Sequence, residues 1–326
     1  MASNYTLAAQ KEFSRSFLQC KSPGQLASLL TVTPWELRRV ILYPDYRRKV
    51  IARASGKARV LHIPGLRLKK VQRELNRYLQ AVYYDLMPAE VHGFVRCPAD
   101  GVRVRNIVTN ALPHIGKKVV ISMDLFRFFP SVKAPMVWKL FLGPPFHFDP
   151  NLASALALLC TYRHSLPTGS PLSPVISNFV CLGMDADLTL LARKHGYAYT
   201  RYADDLTFSG ERPPEAGFFE SVARITGEHG FTQNRRKTRL QKSTSRQTVT
   251  GIVANQKPNV DREYKRKLRA QLHTLDMLGP YLATCRNFRL KEAPAHLVSQ
   301  YLLTLEGKKK FVEMVGLYPY FTKSQK

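Results

Sequence analysis

The run from Tyr197 to Gly210 most constrains how this chain can fold. Aromatic and β-prone residues lie on both sides of two adjacent carboxylates, Asp204 and Asp205. That pattern predicts two strands with the acidic pair at the tight turn between them. Two acids in a turn are usually plain, solvated turn chemistry. A second acidic strand end changes the reading. Val119-Val120-Ile121-Ser122-Met123 reads as a buried strand closing on Asp124, with the bulky segment Leu125 to Pro130 behind it. Alone, Asp124 could be a strand end or a helix cap. Paired with Asp204, it suggests a site for two hard divalent cations, because magnesium is often held by only one or two carboxylates plus substrate phosphates. Two such ions can clamp the attacking and leaving oxygens of an in-line phosphoryl displacement.

Three further stretches keep the same order along the chain: Asn110-Ala111-Leu112-Pro113-His114, the loop Leu166 to Pro174, and Val249-Thr250-Gly251. Together with Asp124 and Tyr202-Ala203-Asp204-Asp205 they resemble the palm and flanking signatures of bacterial retron reverse transcriptases, closely over residues 40 to 255 and loosely at both ends. The resemblance implies an α+β right-hand polymerase. Its parts would be an N-terminal helical extension (1–45), fingers with the palm entry (46–118), a palm of antiparallel sheet plus helices (119–254), and a helical thumb and RNA-recognition region (255–326). It implies catalysis by Asp124, Asp204 and Asp205, with Leu125 joining them around two Mg2+ ions, for which Mn2+ can substitute.

The resemblance also assigns a nucleotide site. Arg59 and Lys69 would hold the incoming triphosphate, although the neighbouring Arg67 and Lys70 could serve instead. Phe129, with Phe128 beside it, would block a ribose 2′-hydroxyl, the alternative being ordinary core. Gly169 and Ser170 would bring backbone close to the nucleotide. Thr168 stands where the family usually has glutamine, which puts a direct side-chain contact there in doubt. Lys237 could be a general acid for pyrophosphate or a surface lysine.

The formal charge is +27 and the isoelectric point about 10.1, which favours nucleic acid or an anionic surface as partner. No apolar run approaches the ~20 residues of a membrane span, and the first residues lack a signal-peptide core, so a cytoplasmic protein is expected. Five scattered cysteines with no zinc spacing read as buried, reduced thiols.

Along the chain, Ser22-Pro23 and Thr33-Pro34-Trp35-Glu36 open helices, the second with a capping box. They read as a helical extension or as a helix-turn-helix. Lys49 to Arg53 and Arg59 to Pro64 read as a hairpin around Ala54-Ser55-Gly56-Lys57, followed by a helix with Leu68, Val71 and Leu75 on one face. Arg103 and Arg105 alternate with Val102, Val104 and Ile107 as a basic, half-buried surface. Asn110 and His114 would be structural or would contact template, and Val249, Thr250 and Gly251 would grip the primer. One helix is expected from Val175 to Leu191. Arg262, Lys265, Arg266, Lys267 and Arg269 lie on a helical framework suited to duplex phosphates. Tyr264, Tyr281, Phe288, Tyr301 and Phe311 offer rings there, one or two of them expected to be exposed for RNA recognition.

The expected partners are a structured non-coding RNA from the same locus, its DNA copy, dNTPs and an effector protein of anti-phage defence. The expected product is single-stranded DNA joined to RNA through a 2′-hydroxyl. The rivals are a group II intron-like or other bacterial reverse transcriptase, disfavoured by the short region after residue 255, and a non-catalytic RNA-binding scaffold.

Overall fold

The computed structural model describes residues 6–52, 58–101 and 103–321, with the side chains of 317–321 left aside. The predicted turn Ala54 to Lys57, Arg53 and Val102 lie outside the described residues.

The chain opens on α1 (Leu7–Leu18), α2 (Pro23–Leu29) and α3 (Pro34–Leu42), then β1 (Tyr46–Ala52), β2 (Ala58–Pro64) and the long α4 (Leu66–Leu86). There follow α5 (Ile107–Ala111), β3 (Val119–Asp124), α6 (Phe128–Ser131), α7 (Ala134–Leu142), α8 (Pro150–Cys160), α9 (Ser173–Val180) and α10 (Leu182–Lys194). Then come β4 (Ala198–Tyr202), β5 (Asp205–Gly210), α11 (Phe218–Glu228), β6 (Arg239–Lys242), β7 (Thr248–Val249) and β8 (Ile252–Val253), and last α12 (Arg262–Phe288) and α13 (Ala295–Phe321). One sheet has the strand order β4-β5-β3-β6, and β7 pairs with β8.

Two compact units are distinguished: Met1–Asn106 with Ile121–Phe208 and Pro213–Arg239, and Ile107–Val120 with Ser209–Arg212 and Leu240–Lys326. In the first, short polar side chains start the helices. Thr6, Ser22, Thr33 and Asp149 each accept a backbone N–H at a helix start. The Thr33–Glu36 capping box forms in full. β1 and β2 are the predicted hairpin, antiparallel with Tyr46 opposite Pro64 and Ala52 opposite Ala58. Leu68, Val71 and Leu75 are buried on α4 as the spacing predicts. An aromatic core binds the helices: Phe17 stands edge-on to Phe146 and Phe148, and Phe146 to Phe179.

The helix expected over Val175 to Leu191 is two helices, broken at Cys181 and bent by 53°. Among the described residues no single helix is long and apolar enough to cross a membrane. All five cysteines are free; Cys97 is half-buried and the others are buried.

The loop before α9 docks on the hairpin. The His62 N–H donates to the Thr168 carbonyl at 2.8 Å. Gly169 has φ +127°, and a Cβ there would lie 2.7 Å from the His62 carbonyl oxygen. The glycine's close approach is therefore to protein backbone. Ser170 is buried, its hydroxyl donating to Gln72 Oε1 at 3.1 Å, while Gln72 Nε2 donates to Tyr46 and to the Leu159 carbonyl.

In the second unit a small core joins Val108, Ala111, Val120, Val249, Ile252, Val260 and Val315. Leu268, Ala283, Tyr301 and Leu305 form another. α12 is interrupted at Gly279 (φ +72°), followed by Pro280.

The loop geometry carries a prediction. Gly169→Ala combines a forbidden φ with a clash against backbone, each worth about 1–3 kcal/mol. Thermal melts should show a loss of a few degrees; an unchanged melting temperature would mean that the loop does not rest on β2 as described.

Candidate active site

Asp124 ends β3 and is buried. The segment 232–237 runs beside it: the Phe126 N–H donates to the Thr232 carbonyl at 2.7 Å, and the Asn234 N–H to the Asp124 carbonyl at 2.7 Å. This alignment puts two side chains on the Asp124 carboxylate. Lys237 Nζ donates to Oδ1 at 2.5 Å, and Asn234 Nδ2 makes a longer contact to Oδ2 at 3.4 Å. The next residue ties in the acidic turn, since the Leu125 N–H donates to the Asp204 carbonyl at 2.9 Å. Between β4 and β5, Ala203 takes a left-handed conformation (φ +59°), which lets Asp204 and Asp205 occupy the predicted turn.

The three acids feel one another. Burial raises the pKa of Asp204, and the charge of Asp124 adds to the shift; Lys237 and Arg59 oppose it. Asp205 keeps contact with solvent, yet the surrounding protein, then Asp204 and Asp124, push it up to about 6. Three carboxylates against one bonded lysine leave uncompensated negative charge built from hard oxygen donors. That donor set fits divalent cations. Lys237 already holds one Asp124 oxygen, and among the described residues no three His, Cys, Asp or Glu groups converge as a finished metal cage.

A strand-end carboxylate joined to a two-acid turn is the arrangement that the sequence resemblance anticipated. The family model described as reverse transcriptase (RNA-dependent DNA polymerase) matches residues 48–279. The chain belongs to the reverse transcriptase family. Its fold is the α+β right-hand polymerase fold, and members of the family generally use divalent metal ions. The retron Mx65 reverse transcriptase of Myxococcus xanthus is 37% identical over 244 residues, covering 68% of this chain and 54% of that protein. The retron Ec86 reverse transcriptase of Escherichia coli is 35% identical over 173 residues, covering 52% and 53%. The resemblance to retron reverse transcriptases is thus borne out, and the chain spans about half the length of these relatives. A telomerase from Candida albicans, solved in complex with a fragment of telomeric RNA, overlays with a TM-score of 0.44 at 13% identity, covering 83% of this chain and 57% of that one.

The other expected nucleotide contacts of this reverse transcriptase divide. Arg59 is exposed on β2, and its charge reaches Asp204. Lys69 is half-buried on α4, with Arg67 and Lys70 exposed beside it. Phe128 is buried and stacked on Phe231 at 5.6 Å, a core position. Phe129 is half-buried, tilted against Phe94 at 5.9 Å.

The most buried part of the site carries charge that sequence reasoning missed. Arg201, fully buried on β4, donates from Nε and Nη2 to the two oxygens of Asp185 at 2.8 and 2.7 Å. Its Nη1 donates to Asn178 Oδ1 at 3.0 Å and to the Ala203 carbonyl at 3.2 Å. Tyr199 donates to Asp185 at 2.9 Å, and Asn178 Nδ2 to the Gly93 carbonyl at 3.0 Å. Gly93 lies so close that a Cβ there would be 2.5 Å from the Ala203 nitrogen. The detectable signal was an arginine two residues from Tyr199 on the inward face of a strand, which demands a buried acid.

The second unit holds the expected RNA or DNA contacts. Asn110 is buried, its amide 3.4 Å from Thr250 Oγ1, and Thr250 donates to the Ile107 carbonyl at 3.0 Å. His114 is buried with Nδ1 2.7 Å from Ser209 Oγ, and burial pushes its imidazole down to about 3, so it is neutral. Val249 is core, while Thr250 (φ +48°) and Gly251 (φ +82°) form a left-handed turn. Asn110, His114 and Val249 are thus interior residues. Arg262, Arg266, Lys267 and Arg269 are exposed on α12, Lys267 paired with Glu263; Lys265 is half-buried and donates to Asn259. Tyr281 and Phe288 are exposed, whereas Tyr301 is buried and Tyr264 packs edge-on to Phe311. In the first unit Arg103 is exposed and Arg105 half-buried.

The raised Asp205 carboxyl predicts a pH signature. A folded-state value of about 6 against 3.8 means that the ionised acid opposes folding above pH 6, a cost that fades as pH falls toward 3.8. Without divalent cations, Asp205→Asn should therefore melt higher than the parent well above pH 6 and lose that advantage in acid. A gain equal at both ends of the pH series, or none, would show that neither burial nor the neighbouring acids penalise the Asp205 charge.

Proposed function

We propose that this chain is an RNA-directed DNA polymerase of the retron type. It copies a structured non-coding RNA of its own locus into single-stranded DNA, primed from a 2′-hydroxyl of a guanosine in that RNA, so that the product stays joined to RNA. The carrying observation is the electrostatic meeting of Asp124, Asp204 and Asp205, with Lys237 on Asp124 and the charge of Arg59 reaching Asp204. A scaffold that only packaged RNA would have no use for three crowded acids inside a chain of +27 charge. The similarity to retron reverse transcriptases supports the priming mode, a place in the cytoplasm, and a role in anti-phage defence beside an effector protein.

Asp124, Asp204 and Asp205, with the Leu125 carbonyl, would hold two magnesium ions, replaceable by manganese, which when bound acidify the primer hydroxyl and neutralise charge on the leaving pyrophosphate. Arg59 and Lys69 balance the triphosphate of the incoming deoxynucleotide. Lys237 balances one carboxylate and holds a proton at Nζ that it can give to the leaving group. Phe129 excludes a 2′-hydroxyl by bulk. Residues 46–118 act as fingers, 119–254 as palm and 255–326 as thumb, where the exposed cations of α12 lie along duplex phosphates.

Asp204→Asn should cut primer extension by about 10³-fold or more while RNA affinity stays within a factor of about two, because cations elsewhere dominate binding. Extension at the parent rate would sink the assignment. Phe129→Ala should admit ribonucleotides in a competition assay while deoxynucleotide incorporation continues. Unchanged discrimination would make Phe129 a core residue like Phe128.

A further inference from the structure

α3 presents a surface that the polymerase reading does not use. Trp35 is 64% exposed near its start and Tyr43 78% exposed just past its end. Between them lies an open cavity of about 560 Å³ lined by Trp35, Arg38, Arg39, Leu42 and Tyr43. The Arg39 guanidinium stands over the Trp35 ring, 5.1 Å from its centroid. Glu36, the acid of this helix, is committed to the capping box: it accepts from the Thr33 N–H at 2.8 Å and from Thr33 Oγ1 at 3.0 Å. Those bonds hold its carboxyl below the ordinary range, and the charges of Arg67 and Lys70 on α4 act in the same direction. The patch therefore joins two exposed rings, one with a guanidinium over one of its faces, to four exposed cations, with its acid already occupied.

We propose that this patch binds single-stranded nucleic acid, with bases stacked on Trp35 and Tyr43 and phosphates on Arg38, Arg39, Arg67 and Lys70. Unpaired bases offer flat faces that aromatic rings and guanidinium planes take up whatever the sequence, and the backbone supplies the negative charge that the cations lack. A duplex hides its base faces, so the alternative helix-turn-helix reading does not explain these rings. The strand is held here whether or not the three carboxylates catalyse.

The chain has two tryptophans, so Trp138→Phe leaves Trp35 as the sole fluorophore. Short oligouridylate and oligothymidylate should quench its emission saturably, less so as salt rises, and a duplex of equal length should not. RNA and DNA arms that differ would identify which strand is preferred, and quenching by either supports the site. Tyr43→Ala, or Arg38→Glu with Arg39→Glu, should weaken that binding roughly ten-fold. These positions are exposed, and melting curves verify the fold of each variant. Absence of quenching, equal quenching by duplex, or affinity indifferent to the substitutions overturns the site. Primer extension on a short pre-annealed template should be normal in Trp35→Ala with Tyr43→Ala. Normal extension alongside a silent Trp35 therefore rejects the patch while leaving the polymerase assignment intact.

Discussion

The acidic turn depends on one buried ion pair. Arg201 and Asp185 are both shielded from solvent, and each would be expensive to bury alone. Their two-pronged geometry, with Tyr199 and Asn178 taking up further donors and acceptors, offsets that cost. Burial alone would lower the Arg201 pKa; Asp185 instead holds it well above the ordinary value. The pair has reach because of what else Arg201 touches. Its guanidinium grips the Ala203 carbonyl, and its backbone is zipped to the segment beside it, accepting from the His92 N–H and donating to the Glu90 carbonyl. The acidic turn therefore hangs from a charge that cannot move. Removing one partner would leave an uncompensated buried ion, at about 3–5 kcal/mol.

A strongly cationic chain with a negative centre solves a specific problem. Lysines and arginines gather polyanions at range. The same positive field, if it extended unbroken, would repel a divalent cation. The three acids interrupt it. Burial first, and then the charge of the neighbouring acids, raises the Asp204 and Asp205 carboxyls, and compact divalent charge would relieve both. Lys237 meets part of that demand from a short helical turn positioned by the pairing of Asn234 with Asp124.

Local patterns were readable from the sequence: the Thr33–Glu36 cap, the β1–β2 hairpin, the strand ending on Asp124 and the acidic turn. Each is set by neighbours within a few residues. What was hidden depends on distant partners. Phe128 and Phe129 are alike in sequence, yet Phe231, about a hundred residues on, makes one of them core. The close approach of the His62 backbone to Gly169 joins residues about a hundred positions apart and was not legible locally. Asn110 and His114 carry polar groups whose burial against Thr250 and Ser209 depends on residues about a hundred or more positions away. The break at Cys181 is marked in the sequence only by Gly183, a weak helix former that a long apolar run can absorb.

Gly93 explains why the turn tolerates so little. Its missing side chain lets the 90–93 segment lie directly against the backbone of Tyr202 and Ala203, while Asn178 fixes the Gly93 carbonyl from the other side. Ala203 is meanwhile held in a left-handed conformation that an alanine adopts only under constraint. Strain at Ala203, close packing at Gly93 and the charge on Arg201 converge within one short stretch. A site that must keep carboxylates in fixed relation cannot rely on surface loops. Here it is built on a strand pair whose underside is packed and anchored by the Arg201–Asp185 pair, so the positions of Asp204 and Asp205 follow from the interior rather than from the solvent face they present.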